Sequence, residues 1–179
     1  MLEIVTSPFE FYDEERNEFF TVKPQQLKLE HSLVSLSKWE SKWHKAFLTK
    51  QEKTSEEMMD YIRCMTINKV DPIVYSLLSQ KNIDEIQEYI GNPMTATVIK
   101  ERPGGKKMTD TITSELIYYW MVSFQIPFEC EKWHLNRLMT LIRICNVKNQ
   151  PAENMSRQEI LNQNRLLNEA RKKKFHTRG

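Results

Sequence analysis

The stretch SELIYYWMVSFQIPFECEKWHLNRL, residues 114 to 138, gathers the side chains most able to do chemistry: Cys130, Glu131 and His134, set among two tryptophans and two tyrosines. On one helix, Cys130 and His134 are four apart and share a face. Two chemistries use such a pair. A zinc site needs about four ligands in a tetrahedral array, or three and a water. The chain has four histidines, His31, His44, His134 and His176, and no second pair at ligand spacing. A Cys–His nucleophile normally draws its two members from different elements rather than from one helix. Both readings give way to a packed thiol beside a hydrogen-bonded or exposed imidazole, and no metal, cofactor or catalytic site is expected there.

The other candidates are weaker. RPGGKK lacks the G-x-x-x-x-G-K-[ST] spacing and is not framed by a strand and a helix, so it reads as a basic loop rather than a phosphate cradle. Asp13, Glu14 and Glu15 fall in an expected turn without the rest of a calcium loop. The basic end RKKK has no interleaved aromatics beyond Phe175, which disfavours nucleic-acid binding. The expectation is a protein that is not an enzyme.

Composition sets the frame. A chain of 179 residues, 40% apolar, suits one domain with an appendage. Cys64, Cys130 and Cys145 are odd in number, widely spaced and set in apolar segments, as reduced buried thiols are. The start, MLEIVTSPFEF, has no signal-peptide pattern. The longest apolar run, Leu116 to Phe128, is interrupted by Ser123, Gln125 and Pro127, so no membrane span and a soluble protein are expected. The net charge of +2 is polarised: eight Lys/Arg against three Glu give residues 148–179 a charge of +5, leaving −3 on the rest.

Periodicity then predicts the elements. LEIV is a short apolar run; the two aromatic runs flanking DEERNE and the alternating LKLEHSL predict a small antiparallel sheet of three strands, with Leu27, Leu29 and His31 on one face. SLVSLSKWESKWHKAF predicts a covering helix through Leu36, Trp39, Trp43 and Phe47. Thr54 with Glu57 reads as a capping box, Asp71-Pro72 as a helix start, Asn82 as a cap and Gly91-Asn92-Pro93 as a stop. MTATVI and KKMTDTI make either a second hairpin or a loop with extended flanks. Thr113 or Ser114 caps a helix that is apolar nearly all round and expected to be buried on most sides. Pro127 turns it into a second helix starting at ECEKW, whose apolar face is Leu135, Leu138, Met139, Ile142 and Cys145. Trp120 and Trp133 are expected to face each other across this hairpin, and Trp39, Trp43, Tyr119, Trp120 and Trp133 to supply core or interface area.

A last helix, opened by a Ser156–Glu159 capping box, has too few apolar positions to pack firmly alone. Its strip of Ile160, Leu161, Leu167 and Ala170, rimmed by Arg165, Arg171 and Lys172, makes sense if another chain completes it. The fold class expected is α+β: a small N-terminal antiparallel β-element (residues 1–32) packed on a mainly α-helical domain (33–150), with a protruding basic C-terminal helix (151–179).

Three strings, LKLEHSLVSLSKWESKW, the hairpin TSELIYYWM…IPFECEKWHLNRLMTLIRICN, and MSRQEILNQNRLLNEAR, resemble the tail assembly chaperones of long-tailed, siphovirus-type bacteriophages. The resemblance spans most of the chain. It implies a non-enzymatic protein of the host cell cytoplasm that coats the tape measure protein, contacts other tail proteins and self-associates. The alternatives are a virion structural protein, such as a connector or minor tail component, and a nucleic-acid-binding phage regulator.

Overall fold

In the computed structural model the described residues are 1–13, 17–98, 111–149 and 157–175. The fold is α+β, with a small antiparallel β-element at the N-terminus followed by helices. Two compact units divide it, Met1–Cys145 and Asn146–Gly179.

The β-element differs from a three-stranded sheet. Strands β1 (Leu2–Val5), β2 (Phe9–Asp13), β3 (Glu18–Val22) and β4 (Gln26–Leu29) pair as β1 with β4 and β2 with β3. Both pairings keep one register: Leu2 faces Leu29, Val5 faces Gln26, Phe9 faces Val22 and Asp13 faces Glu18. The element is therefore a two-stranded ribbon interrupted near Pro8 and Pro24, which have no N–H to give to a ladder. Thr6 N–H to Gln25 carbonyl, at 3.0 Å, keeps the register beside the break. Alternation buries Ile4, Leu27 and Leu29, and carries His31 inward with them as expected. The far hairpin, β2–β3, exposes Phe9, Tyr12 and Phe19.

Helix α1 (Leu33–Trp43) packs against α2 (Ser55–Met65), against α4 (Ser114–Ser123) and against a 3-10 turn at Phe128–Lys132. It starts on a Ser32–Ser35 capping box and stops four residues before Phe47, because His44 turns left-handed (φ 52°). Phe47 stays in the core all the same, stacked on Tyr61 at 3.9 Å between ring centroids. Thr54 and Glu57 close the expected box on α2. Asp71 caps a start with Pro72 in the first turn, but the segment Pro72–Leu77 is 3-10. For α3 (Gln80–Gly91) the cap is Ser79, and Asn82 returns the bond from the third helical position. Of the two readings for MTATVI and KKMTDTI, residues 94–98 and 111–113 hold no strand, and 99–110 lie outside the described residues.

Helix α4 is not buried on most sides. Only Ser114, Ile117 and Met121, one face at three- and four-residue steps, are buried, while Tyr119 and Val122 are more than half exposed. It ends in a Schellman motif with Gln125 in the left-handed position (φ 54°): Ile126 N–H reaches the Met121 carbonyl at 2.8 Å, and Gln125 N–H the Val122 carbonyl at 3.1 Å. The expected single helix after Pro127 is in fact two pieces. The 3-10 turn at Phe128–Lys132 gives way at Trp133, and α5 (Leu135–Asn149) starts afresh. The break has a cause: His134 forms an isolated β-bridge with Ser32, and Leu135 N–H donates to the His31 carbonyl at 2.8 Å. Cys130 and His134 thus lie on different elements. In the second unit, α6 spans Arg157–Phe175; Ser156, the expected cap, lies outside the described residues.

The wide core residue is Trp39, 1% exposed, its Nε1–H donating to the Glu57 carbonyl at 2.8 Å. Trp39→Ala is expected to cost about 3–5 kcal/mol in denaturant melts, whereas Tyr119→Ala, at an open position, is expected to stay within about 0.5 kcal/mol. A Tyr119→Ala cost as large as that of Trp39→Ala would show that the outer face of α4 is packed rather than open.

Candidate functional site

Four aromatic rings join the β-element to three helices. From the end of β4, His31 places Nδ1 2.6 Å from the Tyr61 hydroxyl of α2. His31 and His134 meet edge to face at 5.0 Å between centroids, and His134 meets Tyr89 of α3 at 4.9 Å. His134 accepts from the Asn136 N–H at Nδ1 (3.3 Å), so its proton sits on Nε2, which donates to the Tyr89 carbonyl at 3.0 Å. His31, Tyr89 and His134 wall a cleft of about 210 Å³ shared with Glu30, Lys132 and Arg137, and Tyr61 lies behind it, fully buried.

This geometry ties the end of the β-element to α2, α3 and the start of α5. Burial, with His134 adjacent, pushes His31 down to about 3. Burial also lowers His134, against the pull of the Tyr89 carbonyl. Burial raises the phenols of Tyr61 and Tyr89 above their ordinary value. Rings held neutral are poor proton carriers near neutral pH. Among the described residues, no three His, Cys, Asp or Glu side chains gather as a metal site would need. The Cys64 and Cys130 thiols are free and pushed up by burial, which disfavours the reactive thiolate.

A second polar seam lies along α1 and α2. Lys45 and Thr54 hydrogen-bond the Glu57 carboxylate and hold it below the usual range. Burial pushes Asp60 up, but bonds from Lys42 and from Trp43 Nε1 (2.9 Å) outweigh it and leave that carboxyl low. These contacts join two helices and leave no open carboxylate pair.

The expected aromatics are scattered. Trp39 is core, Trp43 is half-buried and Tyr119 is exposed. Trp120 and Trp133 are half-buried and do not make the expected ring pair; the Arg137 guanidinium lies over Trp133 at 4.2 Å. Tyr118 donates to Glu131 at 2.9 Å, and burial with that carboxylate pushes its phenol up to about 12.

On α6, every described side chain is exposed, including Leu161, Arg165, Leu166, Leu167, Ala170, Arg171, Lys172 and Phe175; the Ile160 side chain lies outside the described residues. Arg165 pairs with Glu169 one turn on, at 3.2 Å. At about 100° per residue, positions 160, 167 and 170 share one stripe, whereas Leu161 sits roughly 120° from Leu167. The strip is narrower than Ile160, Leu161, Leu167 and Ala170 together, and Leu166 widens it on the other side. Counting turns along the sequence separates Leu161 from the rest. A further concavity, about 290 Å³, lies between α2 and α3 and is lined by Met58, Met59, Ile62, Ile83 and Ile86; the apolar steps of those helices hint at their inward faces, not at the space between them. No model of a known protein family, no curated protein and no solved structure matches this chain.

The histidines set a pH dependence. With folded values below the ordinary 6.5, the unfolded chain takes up protons first, so stability is full above 6.5 and falls as pH drops toward the folded values. The slope approaches about 1.4 kcal/mol per pH unit for each histidine. The low carboxylates Glu57 and Asp60 add their loss only near the ordinary carboxylate values, so the upper part of the acid limb belongs to the histidines. Denaturant midpoints between about pH 7.5 and 5 check this; a flat profile would mean that the folded protein protonates these rings freely.

Proposed function

We propose that this protein is a non-enzymatic tail assembly chaperone of a long-tailed bacteriophage, working in the host cell cytoplasm and holding the tape measure protein through α6. One observation carries the reading: a helix of 19 residues places Leu166, Leu167 and Ala170, which share one face, in solvent within a unit of its own. An apolar strip left open on a helix suits an apolar stripe on a long helical client, the pairing that lets two amphipathic helices cover each other. Arg165, Arg171 and Lys172 flank it and speed the encounter with an acidic segment more than they tighten it. The likeness of three strings of the sequence to tail assembly chaperones supports the same reading. So does the cleft in the first unit, whose titratable rings are bound to one another instead of poised for a substrate.

The test is co-expression of the tape measure protein with the full chain or with a chain lacking residues 152–179, followed by sedimentation. Truncation is expected to leave the melting midpoint of the remaining domain nearly unchanged and to send the client into the pellet. A truncated chain that keeps the client soluble overturns the reading. Recovery of the protein in purified virions at fixed copy number would instead make it a structural component.

A further inference from the structure

We propose that the cleft beside His31 and His134 binds inorganic phosphate, held by Lys132, Arg137 and the His31 ring and selected by Glu30. The cleft lies within the first unit, among the end of β4, the end of α3, the 3-10 turn and the start of α5. Its volume of about 210 Å³ falls below the ~300–1,000 Å³ of sites for drug-sized molecules, so a ligand that fills it is small. Two cations stand open there. Lys132 and Arg137 are exposed, and among the described residues neither takes part in an ion pair. The Arg137 guanidinium lies over the Trp133 ring at 4.2 Å. Stacking fixes the guanidinium plane and leaves the N–H groups around its edge for an anion.

A buried donor is aimed into the same space. His31 is 2% exposed, and its Nδ1 is the nitrogen bonded to Tyr61. Burial keeps the Tyr61 phenol protonated, so the hydroxyl donates to Nδ1 and the His31 proton sits on Nε2. No hydrogen bond among the described residues uses Nε2, yet among them no enclosed side-chain nitrogen or oxygen lacks a partner. Nε2 therefore opens onto the cleft that His31 lines and presents its N–H to whatever lies there.

Glu30 decides which anion fits. Its carboxylate shares the cleft, and its charge is felt at the Tyr89 phenol. An ionised carboxylate only accepts hydrogen bonds. It repels an oxyanion that has no proton and accepts from one that keeps a hydroxyl. Inorganic phosphate keeps at least one proton at neutral pH. Sulfate keeps none, and a phosphate monoester loses its last one with a pKa of about 6. Lys132 and Arg137 outweigh Glu30, so the charged side chains of the lining still favour an anion. Phosphate is bound there and not transformed, since the neutral ring serves as a donor that keeps its proton. The site is independent of the client reading, because no residue of the cleft lies in 152–179.

Calorimetric titration and thermal midpoints of the full chain test it, with phosphate, sulfate and methyl phosphate at one ionic strength and about pH 7.5, above the monoester's last pKa. Phosphate is expected to bind with saturable heat and to raise the midpoint. Sulfate and methyl phosphate are expected to bind about tenfold more weakly or worse. Lys132→Met with Arg137→Met, both at exposed positions, is expected to keep the ligand-free midpoint and to lose phosphate affinity by at least about tenfold. Glu30→Gln is expected to level phosphate and sulfate. Proton–nitrogen correlation spectra are expected to show His31 protonated on Nε2, and that signal to move with phosphate while those of the exposed His44 stay. Absence of both heat and midpoint shift with phosphate overturns the proposal. A shift that the double variant retains places the anion elsewhere and also overturns it. Equal binding of phosphate and sulfate by wild type overturns the part given to Glu30, and a His31 proton on Nδ1 overturns the donor; either sinks the proposal as stated. Should the double variant fail to fold, Lys132→Met alone takes its place, and unaltered phosphate affinity in that variant overturns the site.

Discussion

A single buried carboxylate fixes where two distant parts of the first unit meet. Glu40, on the last turn of α1, accepts from the Phe47 N–H at 2.9 Å with one oxygen and from the Ser114 N–H at 2.7 Å with the other. Each N–H belongs to a place where regular structure has just ended or is about to begin, so neither has a ladder partner. A carboxylate taken out of water needs such bonds, and an N–H taken out of water needs such an acceptor. The three groups therefore oblige one another. Phe47 is held close enough to stack on Tyr61, and α4 is started against α1 with its Ser114–Ile117–Met121 face inward. Trp39 and Trp43 repeat the device one residue before and one turn after, each giving its indole N–H to α2. Among the described residues no buried side-chain nitrogen or oxygen lacks a partner.

Local signals in the sequence were readable because they close within a turn. Thr54 with Glu57, Asp71 before Pro72, and Thr113 each cap the segment that follows, and alternation carried His31 inward with Leu27 and Leu29. What escaped depends on partners far along the chain. No pattern near residue 134 tells that Ser32 will bridge to His134 and end the 3-10 turn there. Uniform apolarity tells that α4 is apolar, not which face finds α1, so the sequence leaves Tyr119 as core or interface, and in the structure it is exposed. Alternation within each run marks strands but not their partners; only the shared register shows that β1 pairs with β4 and that the pairing resumes in β2 and β3 beyond Pro8 and Pro24.

The candidate surfaces follow the same division. The open leucines of α6 were legible, since a basic segment with sparse apolar positions has no means of burying them alone. The His31–His134 pair was not, since 103 residues separate its members. Nor was the α2–α3 groove, because a concavity is a property of the gap between two helices.

An isolated helix is marginal in water, and among the described residues the Arg165–Glu169 pair and cations near the C-terminal end favour α6. Each of those adds a few tenths of a kcal/mol at an exposed site. Whatever covers its strip therefore also stabilises the helix, and part of the binding free energy goes into ordering it. That offset keeps affinity modest for a given contact area, and release correspondingly fast. Modest affinity suits the holding role proposed above, in which a client is surrendered to the structure that finally encloses it. A tight, rigid, fully apolar helix would hold the client and also keep it. The polar positions that interrupt the strip, and the cations that make its encounters depend on salt, are thus consistent with a contact built to be exchanged.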